Sequence, residues 1–311
     1  MKLVMLGTGP FAVPTLELLA ASPHEVVLVV ARPPRGRNAQ ASPLQRAGER
    51  LGLETWTPDS VNLPESQARL TALNADLLVV CDYGEILRPA TLATTRLGGI
   101  NLHGSLLPKY RGAAPVQCAV LNGDAETGNT VIQMTPGLDA GPCLAQESTP
   151  INPDEDAAAL ESRLAALGAK LILRVVDELA AGAARPIEQN PAAASKAPRL
   201  TKEHGAIDWS RPAFEIKNLV RAVQPWPRAY TFWHRPDGPP IRLNIDRVQL
   251  AAGELASASG QVVDVSHRLL VSTGDGVLEI LTLQPAGKRT MTAADFLRGN
   301  RVSKGDKFGP A

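Results

Sequence analysis

The runs "KLVMLG", "EVVLVVA" and "LLVVC" in the first hundred residues carry apolar side chains at successive positions, with no polar-apolar alternation. A strand wetted on one side alternates, because its side chains point to opposite faces in turn. These strands therefore need cover on both faces. Intervening stretches such as "FAVPTLELLAAS" have the helical spacing to provide it. The pattern predicts a doubly wound α/β domain around a mostly parallel sheet. Ligands in such sheets bind beyond the carboxyl ends of the strands, so the next run, "GGINLH", bears directly on function.

The 311 residues suffice for two domains. Beyond Pro150, "NPDEDAAALESRLAALGAKLILRVVDELAAG" predicts a helix with Asn152 as N-cap, Pro153 in the first turn and Gly182 as the stop. Leu160, Leu164, Leu167, Leu171 and Val175 mark its buried face. The polar, Pro- and Ala-rich stretch "QNPAAASKAP" at 189–198 then breaks the pattern. We expect a first domain over 1–189, a linker over 190–205 and a second domain over 206–311. After a short helix near "PAFEIKNLVRAV", the runs "AYTFW", "IRLNIDRVQL", "GQVVDVS", "RLLVSTG" and "VLEILTLQP" are separated by Gly, Asp and Pro turns, which predicts a small antiparallel barrel.

Composition narrows the function classes. Charged residues at 20% and apolar ones at 44% argue against extended disorder. No run is long enough to cross a membrane, and the opening "MKLVMLGTGPFAVP" is broken by Gly and Pro before it reaches the length of a signal sequence, so a cytoplasmic protein is expected. Cys81, Cys118 and Cys143 are widely spaced and odd in number, which fits reduced thiols and no metal. The net charge of +1 is uneven: residues 1–190 hold 15 basic against 20 acidic side chains, and residues 191–311 hold 17 against 11. A basic second half suits a polyanionic partner.

Three motifs carry chemistry. "GTGPFA" at 7–12 follows the first strand and resembles a dinucleotide fingerprint, but the second strand ends in "VVARPP" without the acid that would hold a ribose. A tight strand-to-helix turn is the simpler reading. Asn101 and His103 are the stronger signal: at i and i+2 they share a strand face, at the strand's end, ahead of Gly104. Asp139 in "TPGLDAGP" lies between two glycines. An amide, an imidazole and a carboxylate together can stabilise an oxyanion and move a proton without metal.

"NLHGSLLPKYRGAAP", "GDAETGNTVIQMTPGLDAGP", "LTKEHGAIDWS", "AVQPWP" and "LQPAGKRTM" together resemble the methionyl-tRNA formyltransferase family over nearly the whole chain. The Asn-x-His and Asp pieces are similar to those of all enzymes that use 10-formyltetrahydrofolate; the C-terminal pieces narrow the choice. The resemblance implies a Rossmann-like catalytic domain, an OB-like C-terminal barrel that contacts tRNA, and formyl transfer from 10-formyltetrahydrofolate to initiator methionyl-tRNA; a monomer is expected. It makes Asn101, His103 and Asp139 the catalytic three, and Ser105, Leu106, Leu107 and Pro108 the folate-binding turn. Basic residues expected at tRNA are Arg35, Arg37, Lys109, Arg111, Lys202, Lys217, Arg221, Lys288 and Arg289. Two features depart from the family: "CDYG" puts Asp82 where Ala is common, and the basic loop after the second strand is reduced to "RPPRGRNAQASP". Rival expectations are a folate-dependent hydrolase or sugar-nucleotide formyltransferase, and a non-catalytic RNA-binding protein.

Overall fold

The computed structural model describes residues 1–34, 36, 39–235, 238–253 and 258–310. Arg35 and Arg37 lie outside them. The chain divides into two compact units, the first of residues 1–115, 126–150 and 159–198, the second of 116–125, 151–158 and 199–311.

The first unit contains strands β1 (Lys2–Gly7), β2 (Glu25–Val30), β3 (Thr55–Trp56), β4 (Leu77–Cys81), β5 (Gly99–His103), β6 (Arg111–Gly112), β7 (Glu126–Gln133), β8 (Cys143–Pro150) and β9 (Lys196–Ala197). Seven of them form one sheet in the order β3-β2-β1-β4-β5-β7-β8. The first five are mutually parallel, while β7 and β8 extend the sheet antiparallel. This is the Rossmann-like, mostly parallel arrangement expected. Helices α1 (Val13–Ala20), α2 (Pro43–Arg50), α3 (Pro64–Ala72) and α4 (Pro89–Leu92) follow β1 to β4, and α5 (Pro115–Leu121) precedes β7. The apolar runs are buried as the pattern requires: Leu3 to Leu6 and Leu77 to Val79 show no exposed surface. Each such side chain contributes roughly 1.5–3 kcal/mol on removal from water.

Helix α6 (Ala157–Ala180) is one-sided, with Leu160, Leu164, Leu171 and Val175 buried. Gly168 lies against Leu102 of β5, where an added Cβ would come within 2.6 Å of a leucine methyl, so a larger residue would have to displace that side chain from the strand that carries Asn101 and His103. The helix ends where Gly182 predicts: its N–H bonds to Leu179 C=O at 3.2 Å and Ala183 N–H to Glu178 C=O at 2.8 Å, a Schellman closure. Its start is later than expected. Residues 152–156 form a turn, because Arg221 Nη1 takes the carbonyls of Asn152 and Glu155, and the Glu155 carboxylate accepts from Asn152 N–H. Those groups are then engaged outside a helical ladder, and Asn152 is not the N-cap.

The second unit contains α7 (Ala213–Ala222), β10 (Ala229–His234), β11 (Ile241–Ala251), β12 (Val262–Asp264), β13 (Leu269–Ser272), β14 (Val277–Pro285), β15 (Met291–Thr292), α8 (Ala293–Gly299) and β16 (Lys307–Gly309). Its antiparallel sheet runs β12-β13-β14-β11-β10-β16, and β15 pairs with β14. A bridge from Gln261 to Lys307 brings the two ends of the sheet together, giving a nearly closed, OB-like barrel. The core is aromatic as well as aliphatic: Trp233 and Phe296 meet edge to face at 5.6 Å, and Trp209 donates its indole N–H to Thr231 at 2.9 Å.

Candidate active site

Strand β5 ends the parallel part of the sheet. Its pleat separates two sets of side chains: Leu102 packs on α6, while Asn101 and His103 point to the opposite face. The Asn101 carboxamide is half-buried and forms no hydrogen bond among the described residues. His103 is buried, with 5% of its surface exposed. A buried imidazole needs partners, since an unmade hydrogen bond costs about 1–3 kcal/mol.

One partner is the Tyr110 carbonyl, 2.9 Å from Nε2. A carbonyl only accepts, so Nε2 carries a hydrogen. In neutral His103 the lone pair is therefore on Nδ1, which faces Asp139 Oδ2 at 3.7 Å. That distance is too long for a hydrogen bond. The carboxylate oxygen is held instead by Gly112 N–H at 2.9 Å. Two lone-pair bearers thus face each other across a gap that a proton on Nδ1 would satisfy. Asp139 itself has φ +48°, a left-handed conformation that side chains seldom take without support.

The turn after β5 is fixed mostly through its backbone. Ser105 Oγ donates to Lys109 C=O at 2.7 Å, and Thr130 Oγ1 donates to Ser105 C=O at 2.6 Å and accepts from Leu107 N–H at 3.1 Å. Gln146 adds bonds to Thr130 Oγ1 and Leu107 C=O at 2.8 and 3.0 Å. Ser105 and Leu107 are buried inside this network, while Leu106 and Pro108 are half-buried. Of the four residues expected to form the folate turn, Leu106 and Pro108 present surface and the other two hold its shape.

A second chain segment braces the turn from outside. Tyr110 N–H bonds to Ser195 Oγ at 2.9 Å, Arg111 N–H to Ser195 C=O at 2.8 Å and Ala113 N–H to Ala197 C=O at 2.8 Å, while β6 pairs in parallel with β9. The stretch expected as a linker is thus bonded to the site in its first half. Thr130, Gln146, Gln189 and Ser195 stand among other polar residues, and nothing local sets them apart, because their partners are distant along the chain.

Asp82, with φ +48°, leans over the loop after β1, its Oδ2 occupying the space a Cβ on Gly9 would need. A carboxylate there would repel a diphosphate, which supports reading "GTGPFA" as a packing turn. Arg32 is paired with Glu85, whose carboxylate also accepts from Asn62 Nδ2 at 2.9 Å. The cysteines are free, and burial pushes the Cys81 thiol up to about 12, which leaves it unreactive. No group of three or more His, Cys, Asp or Glu that could hold a metal occurs among the described residues.

The expected tRNA cations divide into two sets. Lys109 is exposed with its ammonium 4.8 Å from the Tyr110 ring centroid, and Lys202, Lys288 and Arg289 are exposed on the second unit. Arg111 instead bonds Gln189, Lys217 pairs with Asp154 at 2.6 Å, and Arg221 bonds Asn218 and two carbonyls.

The sequence model of the formyl transferase family matches residues 1–176, and that of the formyl transferase C-terminal domain matches 199–301. The chain is 45% identical to a methionyl-tRNA formyltransferase of Rhodopirellula baltica, over 99% of this chain and 96% of the relative. It is 42% identical to that of Solibacter usitatus, over 99% of each. The chain belongs to the methionyl-tRNA formyltransferase family. An N-formyltransferase from Helicobacter canadensis, solved in complex with folinic acid and dTDP-3-aminofucose, superposes with a TM-score of 0.68 at 19% identity, covering 90% of this chain and 98% of that one. Glycinamide ribonucleotide transformylase 1 from Symbiobacterium toebii gives 0.52 at 21%, covering 60% and 94%. At these identities the likeness is one of fold. It places the formyltransferase architecture beneath several acceptors, so fold alone does not fix the acceptor. Among the described residues no helix is long and apolar enough to cross a membrane.

Proposed function

We propose that this chain is an enzyme that formylates the α-amine of methionyl-tRNA, taking the formyl group from 10-formyltetrahydrofolate. The observation that carries the reading is the approach of Asp139 to His103 at the end of β5, on the strand face that Asn101 shares, in a chain more than 40% identical over nearly its full length to methionyl-tRNA formyltransferases. The free amine attacks the formyl carbon and forms a new C–N bond. The formyl oxygen gathers the electron pair in a tetrahedral intermediate. Collapse breaks the bond to the folate nitrogen, which leaves with a proton derived from the amine, so atoms and charge balance.

The residues take their roles from the geometry. Asn101 has an unengaged amide on the site face and donates to the developing oxyanion. Nδ1 of His103 is the one ring nitrogen not bonded to the chain, so it receives or delivers the proton. Asp139 faces that nitrogen and stabilises its protonated state. Leu106 and Pro108 supply the exposed apolar part of the donor's turn. The basic second unit draws the phosphate-rich acceptor, and the initiator tRNA is the form we expect to be preferred. We take the enzyme to act in the cytoplasm as a monomer.

The test is direct. Incubation with 10-formyltetrahydrofolate should give N-formylmethionyl-tRNA from initiator Met-tRNA, faster than from elongator Met-tRNA. Rapid formate release without acceptor, or transfer to an amino-sugar nucleotide in preference to Met-tRNA, would overturn the assignment.

A further inference from the structure

Gln189 sits at a junction that the proposed chemistry leaves unexplained. Its Oε1 accepts from Arg111 Nε at 3.1 Å and Nη2 at 2.7 Å, and its Nε2 donates to the carbonyls of Asp139 and Gly141, each at 2.8 Å. A carboxamide has two acceptor sites and two donor hydrogens. All four are used within the chain, leaving none for a substrate. The two accepting carbonyls flank Ala140 in the loop that presents Asp139, and Asp139 is the residue held at φ +48°. The next residue after Arg111, Gly112, has φ +130° and donates its N–H to the Asp139 carboxylate. A Cβ on Gly112 would meet Ala197 C=O at 2.4 Å. Backbone and side chain of Asp139 are therefore both fixed from one place, the β6 dipeptide Arg111–Gly112, directly at the carboxylate and through Gln189 at the backbone.

We propose that Gln189, oriented by Arg111, is a positioning residue that sets the Asp139 carboxylate against His103 Nδ1. The inference rests on the reading that Asp139 acts in formyl transfer. It gives Arg111 a different part from the one expected: two of its five N–H donors, on Nε and Nη2, go to Gln189, so its task at the site is to orient that amide rather than to hold a phosphate. The residue type follows from the partners. Glutamate would aim a carboxylate at two carbonyl oxygens and lose both donors, and leucine would keep the volume and lose every bond. Misplacing a reacting group by about 1 Å can cost on the order of 10²-fold in rate.

Steady-state kinetics on the full-length protein, with 10-formyltetrahydrofolate and Met-tRNA, test this with Gln189→Leu, Gln189→Glu and Arg111→Lys beside the wild type. Thermal melting checks that each is folded. For both Gln189 variants kcat should fall roughly ten- to a hundredfold while KM for each substrate stays within about twofold. Arg111→Lys keeps the charge but lacks the fork, and should lower kcat less, with KM for Met-tRNA unmoved. An unchanged kcat in a folded Gln189→Leu would overturn the inference. So would a raised KM for Met-tRNA at normal kcat, which would return Arg111 to the tRNA. If Gln189→Leu does not melt cooperatively, Arg111→Lys decides by the same split. A wild type that forms no N-formylmethionyl-tRNA would be the failure of the functional reading instead.

Discussion

The loops around His103 and the basic surface of the second unit solve opposite problems. At His103 nearly every polar group is tied to the chain: Tyr110 C=O takes Nε2, Gly112 N–H holds Asp139, and Thr130 and Gln146 pin the turn. On the second unit Lys202, Lys288 and Arg289 extend into solvent. Bond-making demands groups fixed to within fractions of an ångström, and a buried framework provides that. Attraction of a polyanion works through long-range charge and tolerates loose side chains. Spacing along a strand therefore brings out the groups that share the buried face, whereas charge does not separate cations paired within the chain from those left in solvent.

The largest effect expected tests the rigid region. His103→Ala or Asp139→Asn should lower turnover roughly 10²- to 10⁴-fold, with little change in tRNA affinity, because acid-base groups act on the transition state. Asp139→Asn is the cleaner variant, since its amide oxygen can still accept from Gly112 N–H while the charge is lost and the second oxygen becomes a donor. Single-turnover formylation and filter binding measure the two quantities. Weakened tRNA binding at normal turnover would erase the contrast between the regions.

A smaller effect is expected at the edge of the framework. Leu106→Asp should raise the KM for the formyl donor roughly tenfold, the order expected when a polar group is set against an apolar ligand. Leu106 also packs on Gly128, where an added Cβ would meet its Cδ2 at 2.6 Å, so the melting temperature has to be read alongside. A folded variant with unchanged donor dependence would move the donor away from this turn.

The two regions differ equally in how far the sequence discloses them. Strands β1, β2 and β4 are legible because burial on both faces leaves an unbroken apolar run, and Asn101 with His103 because a period of two puts them on one face. The approach of Asp139 to His103 is set by the antiparallel β5–β7 pairing, which has no local signature. Gln189 and Ser195 lie on either side of a single 3-10 turn, Pro191–Ala193, in an irregular Pro- and Ala-rich stretch whose bonds go to distant loops, so no periodicity marks them. β16 is three residues in a polar tail, yet Phe308 pairs with Trp233 and is almost wholly buried. The true start of α6 is hidden from local signals because Arg221, far along the chain, takes the carbonyls a helix would use.

Arg221 also provides the finest test of the comparison. By charge it is equivalent to Arg289, but its guanidinium makes four hydrogen bonds, to the Asn218 side chain and the carbonyls of Asn152 and Glu155, and burial lowers its pKa. Lys202, Lys288 and Arg289 are exposed. Each phosphate that the protein ceases to neutralise should reduce the slope of log K against log salt by roughly 0.7–0.9. Neutralising the three exposed residues one at a time should therefore flatten the salt dependence of Met-tRNA binding in small, roughly additive steps while the melting temperature stays put. Arg221→Gln should do the reverse, lowering the melting temperature and leaving the slope within error of the wild type, because its charge holds the 152–155 turn. If Arg221→Gln flattened the slope as Arg289→Gln does, intramolecular hydrogen bonding would not distinguish structural cations from tRNA-binding ones, and the count of basic residues would be the better guide to the interface.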